Sequence, residues 1–151
     1  MKRCGNFVAL REYPDHYPTK IVIRITRLSA RQLQWWDERR ILRPDVKRKH
    51  TRLYSRSDLM RLIILKRVGD AGLRVRKFAR KLQSVEMRSS GWLIVDMQSG
   101  TPVFYEQPTE ALAVLSRMKR FAMIFDMNAV ATSLTLFSAN AEGLGYRACA
   151  L

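Results

Sequence analysis

Along the first third of the chain, apolar side chains recur every three or four positions, which is the spacing of helices that bury one face. The first apolar stripe consists of Ile21, Val22, Ile25 and Leu28. Its β-branched residues favour a strand, so propensity and spacing disagree. We follow the spacing and predict a helix that begins at Thr19. A second helix is predicted from its N-cap, Ser29, to about Arg40, ahead of Pro44.

Two adjacent tryptophans lie in the second predicted helix. Neighbouring helix positions point about 100° apart, so Trp35 and Trp36 cannot share one face. With Leu33 at the centre of the buried face, Trp36 lies inside and Trp35 outside. The buried face then also holds Ala30 and Asp37, the opposite face holds Arg31, Gln34 and Glu38, and Gln32 and Arg39 flank it.

A densely charged stretch, residues 46–54, follows this helix. It is too charged for a core strand and short enough for a hairpin. Ser55, with Asp58 in the first turn, predicts the start of a third helix, and Gly69 and Gly72 bracket its end. Its predicted stripe is Leu59, Leu62, Ile63 and Lys66. A fourth, short helix is predicted to bury Val75, Phe78, Ala79 and Leu82.

The composition changes after residue 88, and we place a domain boundary there. Two apolar strands follow, Trp92–Asp96 and Pro102–Tyr105, joined by a turn at Ser99-Gly100. Residues 109–119 then predict a helix, introduced by a proline.

The remaining pattern is less regular. A third apolar strand lies within residues 120–127, and residues 128–137 fit either a short helix or another strand. Residues 138–151 are rich in small side chains and are expected to be loose. At the other end, residues 1–16 are expected to form a weakly packed arm. The whole pattern predicts an α+β protein whose C-terminal module has a short sheet and one helix.

The positive charge is concentrated in the middle of the chain. The net charge is +15, and residues 20–88 alone contain 21 Lys and Arg against 6 Asp and Glu. Residues 1–19 carry +1 and residues 89–151 carry −1. A basic segment of this density is typical of proteins that bind a polyanion, usually nucleic acid. Solubility and attraction to an anionic membrane are the alternative explanations.

Residues with catalytic or metal-binding potential are sparse. Cys4 and Cys149 are far apart in sequence and belong to no CxxC or Cys/His motif, so neither zinc nor a disulfide framework is indicated. Asp96 and Asp126 each end an apolar strand, which would set two carboxylates side by side, but such acids are usually turn formers. We therefore expect no enzyme activity, no metal and no cofactor. Without a membrane-length apolar run or a signal peptide, a cytoplasmic, nucleoid-associated protein is expected.

The stretch "SARQLQWWDERRILRP", followed by "RLYSRSDLMRLIIL" and by a glycine before a final helix, resembles the DNA-binding domain of MerR-family transcriptional regulators. The resemblance covers residues 17–82. It implies a helix-turn-helix, a two-stranded wing and a further helix pair. Residues 17–88 are then a winged helix-turn-helix domain, and residues 89–151 a small α+β dimerisation or effector module.

The resemblance also implies where the DNA lies. Residues 29–40 would form the recognition helix in the major groove, and residues 47–54 a basic wing on the phosphate backbone. The family commonly has Arg-Tyr-Tyr at Gln34, Trp35 and Trp36, where the first aromatic approaches the backbone and the second packs inward. In the major groove, arginine pairs with guanine and glutamine with adenine. The candidate DNA-binding residues are Ser29, Arg31, Gln32, Gln34, Trp35, Arg39, Lys47, Arg48, Lys49, His50 and Arg52.

The chain departs from the family after the DNA-binding part. Typical members continue into a long dimerising helix, whereas here the last basic helix ends near Gln83 and a sheet begins by Trp92. The predicted strands are apolar on both faces of the sheet, and the one predicted helix can cover only one face. We therefore predict a homodimer through residues 91–138.

The predicted function is regulation of transcription by sequence-specific binding to double-stranded DNA. Two alternatives remain open. In an antitoxin or phage-type regulator, the C-terminal module would bind a partner protein, and a small effector is a further possibility there. A recombination-directionality factor of the excisionase type, which shares this fold, would bend DNA without regulating RNA polymerase.

Overall fold

The computed structural model describes residues 15–48, 51–119 and 121–143, with side chains described up to residue 135. The described chain divides into two compact units. The first contains the described residues up to Leu59 together with residues 134–143, and the second contains Met60–Ser133. The domain boundary that the composition suggests after residue 88 stays a prediction.

The first unit contains the two helices that the apolar stripes predict. Helix α1 spans Thr19–Thr26 and helix α2 spans Ala30–Glu38. Ile21 and Val22 are buried on one face of α1, so packing of an amphipathic face outweighs the strand preference of its β-branched residues. Helix α2 ends about one half-turn earlier than predicted, and Arg40 just beyond it has a left-handed backbone, with φ at 54°.

A three-stranded antiparallel sheet completes this part of the first unit. Its strands are β1 (His16–Pro18), β2 (Val46–Arg48) and β3 (Thr51–Ser55), in the order β1-β3-β2. The hairpin predicted for the charged stretch is confirmed. The expectation of a weakly packed arm is wrong for His16, because its backbone pairs with β3 and its Nε2 lies 2.6 Å from Oδ2 of Asp45. Residues 1–14 of that arm lie outside the described residues.

Helix α3 spans Arg56–Asp70 and starts with the predicted capping arrangement. The backbone N–H of Ser55 donates to the Asp58 carboxylate at 3.0 Å, and that of Asp58 donates to the Ser55 hydroxyl at 3.2 Å. The predicted stripe is only partly right, since Ile63 and Lys66 are half-buried. The buried residues are Leu59, Met60, Leu62, Ile64, Leu65 and Val68. The helix is thus buried around much of its circumference, which an amphipathic template does not predict.

The second unit contains helix α4 and the second sheet. Helix α4 spans Val75–Gln83 and buries Phe78, Ala79 and Leu82 as predicted, while Val75 is half-buried. The sheet is antiparallel, and its strands have the order β5-β4-β6. They are β4 (Trp92–Asp96), β5 (Pro102–Tyr105) and β6 (Ala122–Asp126). The predicted strand boundaries and the turn between β4 and β5 are confirmed.

Two helices accompany this sheet. Helix α5 spans Pro108–Arg117 and contacts β4 and β5, which confirms the helix predicted there. Helix α6 spans Met127–Gly143. Residues 128–137, which fit two patterns in the sequence, are therefore helical. The expectation of a loose segment is wrong for residues 138–143, which continue the helix, and residues 144–151 lie outside the described part.

The two strand-end acids of the sheet do not lie side by side. Asp126 is opposite Trp92 and Asp96 is opposite Ala122, because β4 and β6 are antiparallel and each acid ends its own strand. Each carboxylate instead accepts a backbone N–H two residues later, from Gln98 at 2.8 Å and from residue 128 at 2.9 Å. Asp96 thus stabilises the turn between β4 and β5, and Asp126 caps the start of α6.

The buried phenol of Tyr54 in β3 makes the first unit sensitive to alkaline pH. Tyr54 is 1 % exposed, and burial raises its pKa to about 12, with further increases from the Asp37 and Asp58 carboxylates and an opposing effect of Arg52. An unfolded tyrosine ionises near pH 10. Between these values the folded state holds a proton that the unfolded state has lost, so the free energy of unfolding falls as pH rises.

We expect Tyr54→Phe to remove this alkaline loss of stability. Denaturant titrations at about pH 9 and about pH 11 should show a larger decrease for the wild type than for the variant, because only the wild type carries the buried phenol. Tyr105→Phe, at a half-buried position of the second sheet, is the control and should behave like the wild type. Equal decreases in wild type and Tyr54→Phe would show that Tyr54 ionises normally.

Candidate nucleic-acid interface

A tight turn of residues 27–29 joins α1 to α2. Arg27 has a left-handed backbone, with φ at 58°, and its N–H donates to the carbonyl of Ile23 at 2.9 Å. The Thr26 hydroxyl donates to the carbonyl of Val22 at 2.8 Å and accepts the N–H of Leu28 at 3.2 Å. Leu28 is buried, which closes the turn against the core. These contacts fix the direction in which α2 leaves the turn.

The start of α2 is a capping box between two predicted DNA-binding residues. The backbone N–H of Gln32 donates to the Ser29 hydroxyl at 3.1 Å, and the backbone N–H of Ser29 donates to Oε1 of Gln32 at 2.8 Å. Both side chains therefore stabilise the helix. This structural role competes with the predicted role of Gln32 in reading a base.

The outer face of α2 brings together four of the predicted site residues, all exposed: Arg31, Gln34, Trp35 and, just after the helix, Arg39. Trp35 is 47 % exposed, and the Arg39 guanidinium carbon lies 5.9 Å from the centre of its ring, in a cation–π arrangement. Nε2 of Gln34 donates to Glu38 at 2.9 Å. The face offers guanidinium and amide donors beside a flat aromatic ring, which suits base edges and the sugar–phosphate backbone.

The inner face of α2 is buried, as the assignment of the two tryptophans requires. Leu33, Trp36 and Asp37 are all buried. Ala30 was predicted to be buried with them, but it is exposed because it is the first residue of the helix. The opposite orientations of Trp35 and Trp36 are thus confirmed.

The hairpin β2–β3 carries the predicted wing cations. Lys47 lies directly opposite Arg52, and Arg48 lies opposite Thr51. Lys47 and Arg48 are exposed, and Arg52 is half-buried. The remaining predicted wing residues, Lys49 and His50, lie outside the described residues.

A buried carboxylate connects this hairpin to α2. Oδ2 of Asp37, whose side chain is 3 % exposed, lies 2.6 Å from Nζ of Lys47 and 3.5 Å from Nε of Arg52. The sequence placed Asp37 on the buried face but gave it no role. The sequence nevertheless contained a signal for these ion pairs. A buried carboxylate requires a cationic partner, and the segment that follows α2 is rich in cations.

Helix α4 in the second unit carries further cations that were not among the predicted site residues. Arg74, Arg76, Lys77 and Arg80 are exposed. Residues 73–83 include no acid, a signal that was available in the sequence. Lys81 is engaged internally, donating to the carbonyl of Ser99 at 2.6 Å and to the hydroxyl of Thr101 at 3.0 Å.

The second unit also has an acidic cleft of about 370 Å³. Its charged lining consists of Glu86, Arg88, Glu106 and Glu110. Arg88 forms ion pairs with Glu86 and Glu106 and lies 5.5 Å from the centre of the Phe104 ring. The only cation of the lining is therefore neutralised by its own neighbours.

The described residues contain neither a membrane-length apolar helix nor a cluster of metal ligands. None of their helices has the length and apolar character that crossing a membrane would require. Within the same ranges, no three or more His, Cys, Asp and Glu side chains group in a way that could hold a metal ion.

Two helices joined by a tight turn and followed by an antiparallel hairpin define a winged helix-turn-helix domain. Comparison with protein families agrees with this geometry. Residues 17–85 match the model of the MerR HTH family of regulatory proteins. The N-terminal part of the chain is therefore a MerR-type helix-turn-helix domain, and a small sheet-and-helix module follows it.

Individual relatives match a similar share of the chain. The HTH-type transcriptional regulators GlnR of Bacillus anthracis and Bacillus cereus are each 35 % identical to this chain over 57 residues. That alignment covers 38 % of this chain and 44 % of each relative. The alignment therefore spans less than half the length of each of these relatives.

The opposite orientations of the two tryptophans predict opposite effects of truncation. Trp36→Ala removes a buried aromatic side chain and should cost about 3–5 kcal/mol, a large part of the 5–15 kcal/mol that typically stabilises a domain. Trp35→Ala should cost no more than about 1 kcal/mol, because the side chain is half-exposed and contributes one cation–π contact. Thermal and denaturant unfolding of both variants measures the difference. A larger loss for Trp35→Ala would contradict the orientation of α2.

Proposed function

We propose that the protein regulates transcription by binding specific double-stranded DNA, with α2 in the major groove. The observation that carries this proposal is the outer face of α2. In a MerR-type domain, this face presents Arg31, Gln34 and Trp35 to solvent next to a basic hairpin. The two relatives are named transcriptional regulators, and the positive charge of residues 20–88 supports a polyanionic ligand.

The exposed residues divide into two roles by their chemistry. Arg31 and Gln34 lie on the outer face of α2 and have the donors that recognise guanine and adenine. Release of Gln34 from Glu38 would be part of binding. Trp35 and Arg39 together present a cationic aromatic surface to the sugar–phosphate backbone. Arg48 in the hairpin, with Lys49 and His50 beyond it, supplies phosphate contacts.

A salt titration tests the proposal. A phosphate contact contributes about −0.9 to the slope of log affinity against log salt, so a dimer with several contacts per subunit should give a slope steeper than about −5. The probes are a fluorescent duplex selected by the protein from a random library and a scrambled duplex of equal length. A flat salt response in these anisotropy titrations would contradict nucleic-acid binding.

Variants in the same titration separate the two roles. Arg48→Ala should weaken binding to both duplexes equally and make the slope shallower by about one contact per subunit. Arg31→Ala should cost about 1–3 kcal/mol on the selected duplex and much less on the scrambled one.

We further propose that the protein is a homodimer through residues 91–138. Val103 on β5 and Ile124 on β6 flank Ile94 of the central strand, so the three side chains share one face of the sheet. Val103 is 44 % exposed and Ile124 is 48 % exposed, and Phe121, just before β6, is 88 % exposed. Covering Val103 and Ile124 with the same face of a second copy would remove them from water.

Sedimentation measures this directly. The full-length protein should sediment as a dimer at tens of micromolar, and Ile124→Lys should shift it to monomer because a charge then lies in the apolar contact. Leu112→Lys is the matched control, since Leu112 is also an exposed apolar residue but lies on α5. A wild-type protein that remains monomeric would refute the dimer.

A further inference from the structure

A single carboxylate holds both strands of the wing against α2. Oδ2 of Asp37 lies 2.6 Å from the ammonium group of Lys47 on β2 and 3.5 Å from Nε of Arg52 on β3. These two cations are direct cross-strand partners. The contact therefore joins the helix to the two strands at one register position of the hairpin.

The charges at this position depend on one another. Like charges directly opposite in an antiparallel pair repel, so Lys47 and Arg52 destabilise the hairpin unless an anion lies between them. Asp37 is 3 % exposed, and a carboxylate so removed from water needs cationic or hydrogen-bonding partners. The hairpin thus provides the cations for Asp37, and Asp37 provides the anion for the hairpin.

We propose that Asp37 is a positioning residue for DNA binding: it touches no DNA but fixes the wing relative to the outer face of α2. This inference rests on the proposed function. A recognition helix and a wing bind one duplex together only if their relative orientation matches the spacing of groove and phosphates. An orientation fixed before binding avoids the entropy cost of ordering it on the DNA.

The loss of the carboxylate has two opposing effects on DNA binding. Asp37→Asn removes a negative charge and releases Lys47 and Arg52, which by electrostatics alone strengthens binding to any duplex. If Asp37 positions the wing, the same change weakens binding to the selected sequence, because the base contacts of α2 and the phosphate contacts of the wing no longer form together. The ratio of the two affinities separates these effects.

The experiment compares full-length wild type and Asp37→Asn on two fluorescent duplexes, one selected from a random library by the wild type and one scrambled. We expect the ratio of selected to scrambled affinity to fall about tenfold, while affinity for the scrambled duplex stays equal or rises. Asp45→Asn is the matched control, since it removes the same charge one residue before β2 from a carboxylate that is 56 % exposed. Its affinity ratio should remain that of the wild type.

A second variant covers the case in which Asp37→Asn does not fold. Lys47→Met removes the partner whose side chain is 54 % exposed, and should lower the affinity ratio by a similar factor. If both single variants fold, the double variant should lose no more than either alone, because they break the same contact.

The outcomes distinguish this inference from the proposed function. If the wild type is selective and Asp37→Asn keeps the wild-type ratio of selected to scrambled affinity, the positioning role alone is overturned. Where Asp37→Asn is unfolded, an unchanged affinity ratio in Lys47→Met has the same consequence. An equal loss in Asp45→Asn overturns it too, because the effect is then one of charge. A wild type that binds no duplex overturns the proposed function and this inference with it.

Discussion

Helix α2 packs one face into the core and presents the other face to solvent, and its nine residues serve both tasks. Helical periodicity divides these residues into two faces, so each side chain belongs to one task or the other. Trp36 and Leu33 anchor the helix in the core, and Trp35 and Arg31 are consequently turned outward. The capping box at Ser29 and the turn at Thr26 fix the start of the helix. The orientation of the outer face therefore depends on contacts made by residues outside that face.

Electrostatics extends this arrangement to the hairpin. The sequence places many cations after α2, and a hairpin with Lys47 opposite Arg52 is unfavourable by itself. The Asp37 carboxylate on the buried face of α2 offsets that repulsion and is itself compensated. Asp37 therefore engages two of the wing cations in the free protein, and Arg48 is exposed.

The sheet of the second unit follows a different principle, since residues 89–151 carry a net charge of only −1 and the sheet is apolar. Leu93 and Val95 are completely buried on one face of the central strand, while Val103 and Ile124 remain half-exposed on the other. Helix α5 contacts both β4 and β5. These exposed apolar side chains support the proposed contact with a second copy.

The sequence by itself determined helices α1 to α5, the strands of the second sheet and the opposite faces of Trp35 and Trp36, because these depend on local periodicity, capping and turns. The ion pairs of Asp37, the pairing of β1 with β3 and the broad burial of α3 were decided only by the tertiary structure. The ion pairs and the strand pairing join residues that are distant in sequence. The burial of α3 depends on neighbours around most of the helix. Local patterns report which face of an element is apolar, but they do not report which element meets that face.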